Sequence, residues 1–118
     1  MKLLTKALRK KLPPLYAQDA KGEAAIVYAK FFTPDANWEW YITEGGPIYA
    51  YKLMHDQPTE EVDYHFFGLV VGQYTELGYF SLRELETVLG PLRLPIERDL
   101  HWKPMTLGQV RRLLVPTT

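Results

Sequence analysis

The run Tyr64-His65-Phe66-Phe67-Gly68-Leu69-Val70-Val71-Gly72-Gln73-Tyr74-Thr75-Glu76-Leu77-Gly78-Tyr79-Phe80-Ser81-Leu82-Arg83-Glu84, residues 64–84, passes from strand chemistry to helix chemistry without a break. Residues 64–71 and 73–80 are rich in aromatic and β-branched side chains, which suit a pleated, packed surface, and Gly72 between them leaves room only for a tight reversal. Two strands joined that closely must be antiparallel, because a parallel pair needs a long crossover. The segment FFGLVV is apolar at both parities and is therefore placed centrally, with both faces covered. Ser81-Leu82-Arg83-Glu84 then has the spacing of a capping box. It opens a helix that buries Leu82, Leu85 and Val88 or Leu89, and Gly90-Pro91 ends it.

Working outward, residues 24–32, 38–44 and 47–55 carry the same strand chemistry. The turn signals Thr33–Asn37, Gly45-Gly46-Pro47 and Asp56–Thr59 separate them. Leu4, Leu8 and Leu12 recur every fourth residue, so residues 4–12 read as a short amphipathic helix stopped by Pro13-Pro14. A second box, Thr106-Leu107-Gly108-Gln109, opens a terminal helix with Leu107, Val110 and Leu114 on one side. Strands first and helices after predict an α+β fold. The expected architecture is a four- to five-stranded antiparallel meander sheet with a short N-terminal helix and two C-terminal helices packed on it, one domain over 1–118.

The 118 residues include no cysteine, which excludes disulfides, thiolate metal sites and cysteine nucleophiles. The N-terminus has no secretory-signal pattern, and nowhere do eighteen apolar residues run together, so a cytoplasmic protein without a membrane partner is expected. The net charge is zero, but it is sorted along the chain. Residues 1–30 hold seven Lys/Arg against two acidic residues (+5), residues 31–80 hold Lys52 against eight (−7), and residues 81–118 hold six against four (+2). An acidic middle repels phosphate, which leaves only the basic N-terminal segment as a nucleic-acid contact.

Two constellations could carry chemistry, and two further patterns are excluded. If Pro95–Trp102 is extended, Glu97, Asp99 and His101 point one way at period two, a set able to hold a divalent metal or to act as acid and base. His55 and His65 flank an acidic turn with Asp56 and Asp63, donors that would suit zinc or manganese. Ser81 lacks the Gly-x-Ser-x-Gly elbow and already serves as a cap, and Gly68, Gly72 and Gly78 fit no dinucleotide or P-loop pattern. No cofactor or metal is expected from these residues.

Fourteen of the sixteen aromatic residues lie between Tyr28 and Phe80. A register that keeps charges out of the core turns Val27, Ala29, Phe31, Trp38, Trp40, Ile42, Leu77 and Tyr79 inward. It turns Tyr28, Lys30, Glu39, Tyr41, Tyr74 and Glu76 outward. Tyrosine among few charges suits a binding surface, because its rigid ring buries area at low entropic cost. A helix covering that face is the alternative.

The segments MKLLTKALRKKLPPLYA, AIVYAKFFTPDANWEWYITE, FFGLVVGQYTELGYFSLRELE and GPLRLPIERDLHWKP together resemble a bacterial domain-of-unknown-function family (number 2958), over roughly residues 1–104. The resemblance implies a setting on plasmids, integrative elements and phages, beside accessory and anti-restriction genes, and supplies no catalytic residue. The expected function is therefore a non-catalytic binding protein of a mobile genetic element. It would be an accessory or anti-defence factor of the anti-restriction or anti-CRISPR type, contacting a host protein through Tyr28, Lys30, Glu39, Tyr41, Tyr74 and Glu76. The alternatives are a small metal-dependent hydrolase using Glu97, Asp99 and His101, and a binder that sequesters a small nucleotide signal.

Overall fold

A computed structural model of the chain describes residues 1–51 and 58–115. Helix α1, Lys6–Lys11, starts where the Thr5 hydroxyl accepts the Leu8 N–H at 3.1 Å. A 3₁₀ segment, Asp19–Ala24, leads to strands β1 (Ile26–Val27), β2 (Ala29–Phe32), β3 (Glu39–Tyr51), β4 (Pro58–Val71) and β5 (Thr75–Ser81). Helix α2 (Leu82–Thr87), β6 (Glu97–Arg98), β7 (Met105–Thr106) and α3 (Leu107–Leu114) follow. The main sheet has five strands in the order β5-β4-β3-β2-β6, every pair antiparallel, and β1 pairs with β7 in a two-stranded ribbon. The fold is α+β, and β2 to β5 form the expected meander.

Helices α2 and α3 start where the sequence signals place them, and α1 is shorter than the expected 4–12. The Ser81 hydroxyl accepts the Glu84 N–H at 3.0 Å, and Thr106 and Gln109 complete a reciprocal box at the head of α3. The strands differ in where they break: the expected strand over 24–32 is split at Tyr28, β4 starts at Pro58 rather than at residue 64, and Gly45-Gly46-Pro47 is not a turn, since β3 runs through it. A Cβ on Gly45 would lie 2.5 Å from the Tyr64 ring, so glycine here makes room for a neighbouring aromatic. Pro47 is tolerated because β2 pairs with β3 only as far as Ile42, and among the described residues no other strand pairs with that side of β3 there. The fifth strand of the sheet is instead β6.

Two apolar clusters hold the sheet, one on each face. Phe31, Trp40, Ile42, Phe66 and Phe80 meet Leu8 of α1 and Leu85 of α2. At the opposite parity, Tyr41 and Leu69 meet Leu107 and Val110 of α3. A bulge between Ile42 and Glu44 shifts the register, and the Glu44 carboxylate is buried. It accepts the Tyr16 and Gln18 N–H groups at 2.8 and 2.7 Å, which satisfies a charge otherwise expensive to bury and pins the loop after α1. No helix among the described residues is long and apolar enough to cross a membrane.

Candidate functional site

The β2–β3 turn and the β4–β5 turn lie side by side at one end of the sheet, and Trp38 stands between them. Its position is fixed from several directions. Its backbone N–H donates to Thr33 Oγ1 at 3.0 Å, and its carbonyl accepts the Thr33 N–H at 3.0 Å. Its indole stacks on Trp40, with centroids 6.0 Å apart and planes at 27°. It also lies over Gly72, where a Cβ would stand 2.3 Å from Trp38 Cζ3. Trp38 is nevertheless 41 % exposed, so a large ring is held rigid at the surface.

This indole forms the shared wall of two hollows. One, of about 280 Å³, is mostly apolar and is completed by Val70, Tyr74, Glu76 and Leu77. The other, of about 490 Å³, is more polar and is lined by Lys30, Phe32, Asn37, Glu39 and Asp99. In the second, Lys30 Nζ pairs with Glu39 at 2.9 Å and lies 5.6 Å from the Tyr41 ring centre. One ammonium against two carboxylates leaves this cleft acidic, which disfavours phosphate-bearing ligands and favours cationic or amide groups.

The expected binding residues are divided by this geometry. Lys30 and Glu39 come together in the polar cleft, and Tyr74 and Glu76 come together in the apolar hollow. Tyr74 is 75 % exposed, as expected of an outward residue. Tyr41 is not outward. It is 4 % exposed, with Trp102 edge-on at 5.6 Å, because α3 covers the face that the period-two register left open. Burial first, and the Glu39 carboxylate second, push its phenol pKa well up. Tyr28 is half-buried against the α1 side of the core, because the pairing breaks between Val27 and Ala29 and the alternation restarts.

Three residues expected inside lie at the surface: Trp38, Leu77 (43 % exposed) and Tyr79 (52 % exposed). For Trp38 the reason is its place in the strand register. Glu39 pairs with Val71, so Trp38 lies one step beyond the paired rows, next to a glycine that clears space for a ring. For β5 the alternation gives no signal, since both parities at its start face solvent.

Glu97, Asp99 and His101 do not converge. The extended segment stops at Arg98, and the Asp99 carboxylate accepts the His101 N–H at 2.9 Å, turning the chain. Among the described residues no group of three or more His, Asp or Glu could hold a metal ion. Asp63 is occupied by the Tyr64 and Arg83 N–H groups at 2.7 and 3.2 Å; burial opposes its ionisation, but these donors win and hold its carboxyl below the usual range. His65 lies 3.8 Å from it, while His55 and Asp56 lie outside the described residues.

No curated protein and no solved structure matches the chain. A family model described as "Protein of unknown function (DUF2958)" matches residues 3–109. That span takes in every strand and both hollows, and the chain belongs to this family.

Proposed function

We propose that this chain is a non-catalytic binding protein that acts by contact with another protein through the Trp38 end of its sheet. The observation that carries this reading is the rigid, exposed indole shared by an apolar hollow and an acidic cleft. Aromatic anchors surrounded by a polar rim are where interface energy concentrates, and a ring already fixed in place loses little entropy on binding. The acidic rim of Glu39, Glu76 and Asp99 suits a partner surface carrying Lys or Arg beside an apolar knob. A nucleotide would meet two carboxylates against one lysine, so protein contact is the preferred reading. The setting belongs to the same proposal: an accessory, anti-defence factor of a mobile element, working in the cytoplasm on a host restriction or CRISPR-type component.

The test is capture of partners from host lysate by wild type, Trp38→Ala, Tyr74→Ala and Gly72→Ala, with thermal midpoints measured in parallel. Gly72→Ala keeps both aromatic residues in the chain but forces the Trp38 indole out of its seat. A specific partner should be retained by wild type and weakened at least about tenfold in all three variants, the loss expected for anchors at an interface centre. Equal retention by all four proteins would refute the Trp38 end as the contact.

A further inference from the structure

The two edges of the main sheet are finished differently. On the β6 side the edge strand has two residues, and the N-terminal segment lies against it. The Arg98 N–H meets Met1 Sδ at 3.1 Å, and the Arg98 guanidinium donates to the Leu3 carbonyl at 3.2 Å and to the Lys2 carbonyl. Short, charged and covered edges resist further pairing. On the other side β5 is seven residues long and, among the described residues, pairs only with β4. It has no proline, carries one charged side chain, Glu76, and exposes Leu77 and Tyr79.

We propose that β5 is a self-association edge: two copies of this chain pair β5 to β5 in antiparallel register about a two-fold axis at Gly78, forming one continuous ten-stranded sheet. The sequence of β5 favours that register over one centred on Glu76. Centred on Gly78, Leu77 of each copy faces Tyr79 of the other, so two apolar pairs form on one face, and Glu76 faces Phe80 on the other face. Centring on Glu76 would instead set two carboxylates opposite each other, which is destabilising. Glycine at the axis sets no side chain opposite its own copy, and a Cβ built there would meet nothing within 4 Å, so a cysteine can be placed at the axis without a clash inside the chain. A two-fold axis perpendicular to the sheet keeps each face on its own side. The apolar hollows of both copies, each bordered by Glu76 and Gly78, therefore come to lie on one face of the dimer. This inference rests on the edge and not on the partner contact proposed above, and it would make that contact bivalent, with the gain in avidity that linkage brings.

The chain has no cysteine, so an introduced thiol reports on one position alone. In the proposed register the two Gly78 Cα atoms are about 5 Å apart, within disulfide range. Two Gln73 positions would be roughly 30 Å apart, given the rise of a strand. Gly78→Cys and Gln73→Cys are oxidised with diamide across a dilution series, and the wild type and Leu77→Lys are followed by sedimentation equilibrium. The expected result is a wild-type dimer, rapid disulfide-linked dimer for Gly78→Cys only, and self-association weakened about tenfold or more in Leu77→Lys. Cross-linking of Gly78→Cys no faster than Gln73→Cys overturns the proposal, whether the wild type is monomeric or dimerises elsewhere. The partner capture by Trp38→Ala is read separately, so a failure of either idea leaves the other measurable.

Discussion

The β6 edge and the β5 edge belong to the same sheet, yet one is built for stability and the other is left available. At β6 the chain commits its first residues to the rim: Leu3 and Leu4 are buried in the core, and Arg98 ties down the backbone that carries them. At β5 the strand begins in solvent, with Tyr74, Leu77 and Tyr79 exposed around a glycine. Leaving an edge open invites association, and natural sheets normally blunt such edges with charge, proline or cover. Substitutions on the covered side should therefore cost folding stability, and substitutions on the open side should cost association.

The largest effect is expected at Leu3→Ala. Its side chain is buried among Leu8, Phe31 and Ile96 neighbours of the same cluster, and truncation should lower unfolding free energy by about 3 kcal/mol in urea titrations. Arg98→Ala removes the donors to the Lys2 and Leu3 carbonyls and should cost about 1.5 kcal/mol, with earlier proteolysis of the N-terminal segment. A loss as large at β5 as at these positions would erase the contrast.

A third effect depends on pH and lies between the edges, where α3 covers Tyr41. The folded chain holds this phenol neutral because burial, and then Glu39, raise its pKa, and burial raises that of Tyr64 as well. An unfolded tyrosine ionises at about 10. The contribution is therefore full below that pH and is lost as pH climbs above it, since the unfolded chain releases its protons first. The thermal midpoint should fall through the alkaline range, and Tyr41→Phe should make that fall shallower. An unchanged slope in Tyr41→Phe would mean that α3 does not seal the face.

Much of this was legible in the residues because it is local. Thr106-Leu107-Gly108-Gln109 and Ser81-Leu82-Arg83-Glu84 mark helix starts by hydrogen bonds made within four residues. The inward register of Ala29, Phe31, Trp40 and Ile42 follows from keeping Lys30 and Glu39 near water. Alternation fails where its premise fails, which is that one face is packed and the other is wet. In mid-sheet both faces are packed, so Tyr41 is buried although its neighbours Trp40 and Ile42 are buried too. At the sheet's end neither face is packed, so Trp38 and Leu77 stay exposed, while Tyr79 is exposed because it lies on the face opposite the buried Phe80. The Lys30–Glu39–Asp99 cleft joins residues up to sixty-nine positions apart (Lys30 to Asp99), and nothing local in the sequence announces that meeting.

The smallest expected change in stability is at Leu77→Lys, and it separates the two edges most sharply. Leu77 is 43 % exposed on the outermost strand, so a lysine there can lay its methylene stem along Phe67 and Tyr79 side chains of the same face and keep its ammonium in water. Unfolding free energy at low protein concentration should stay within about 0.5 kcal/mol of wild type, as for most surface substitutions. At high concentration the comparison changes: a self-associating wild type gains stability by mass action, and its midpoint should rise with protein concentration while that of Leu77→Lys stays flat. Parallel concentration dependence in the two proteins would show that β5, for all its openness, is as inert an edge as β6.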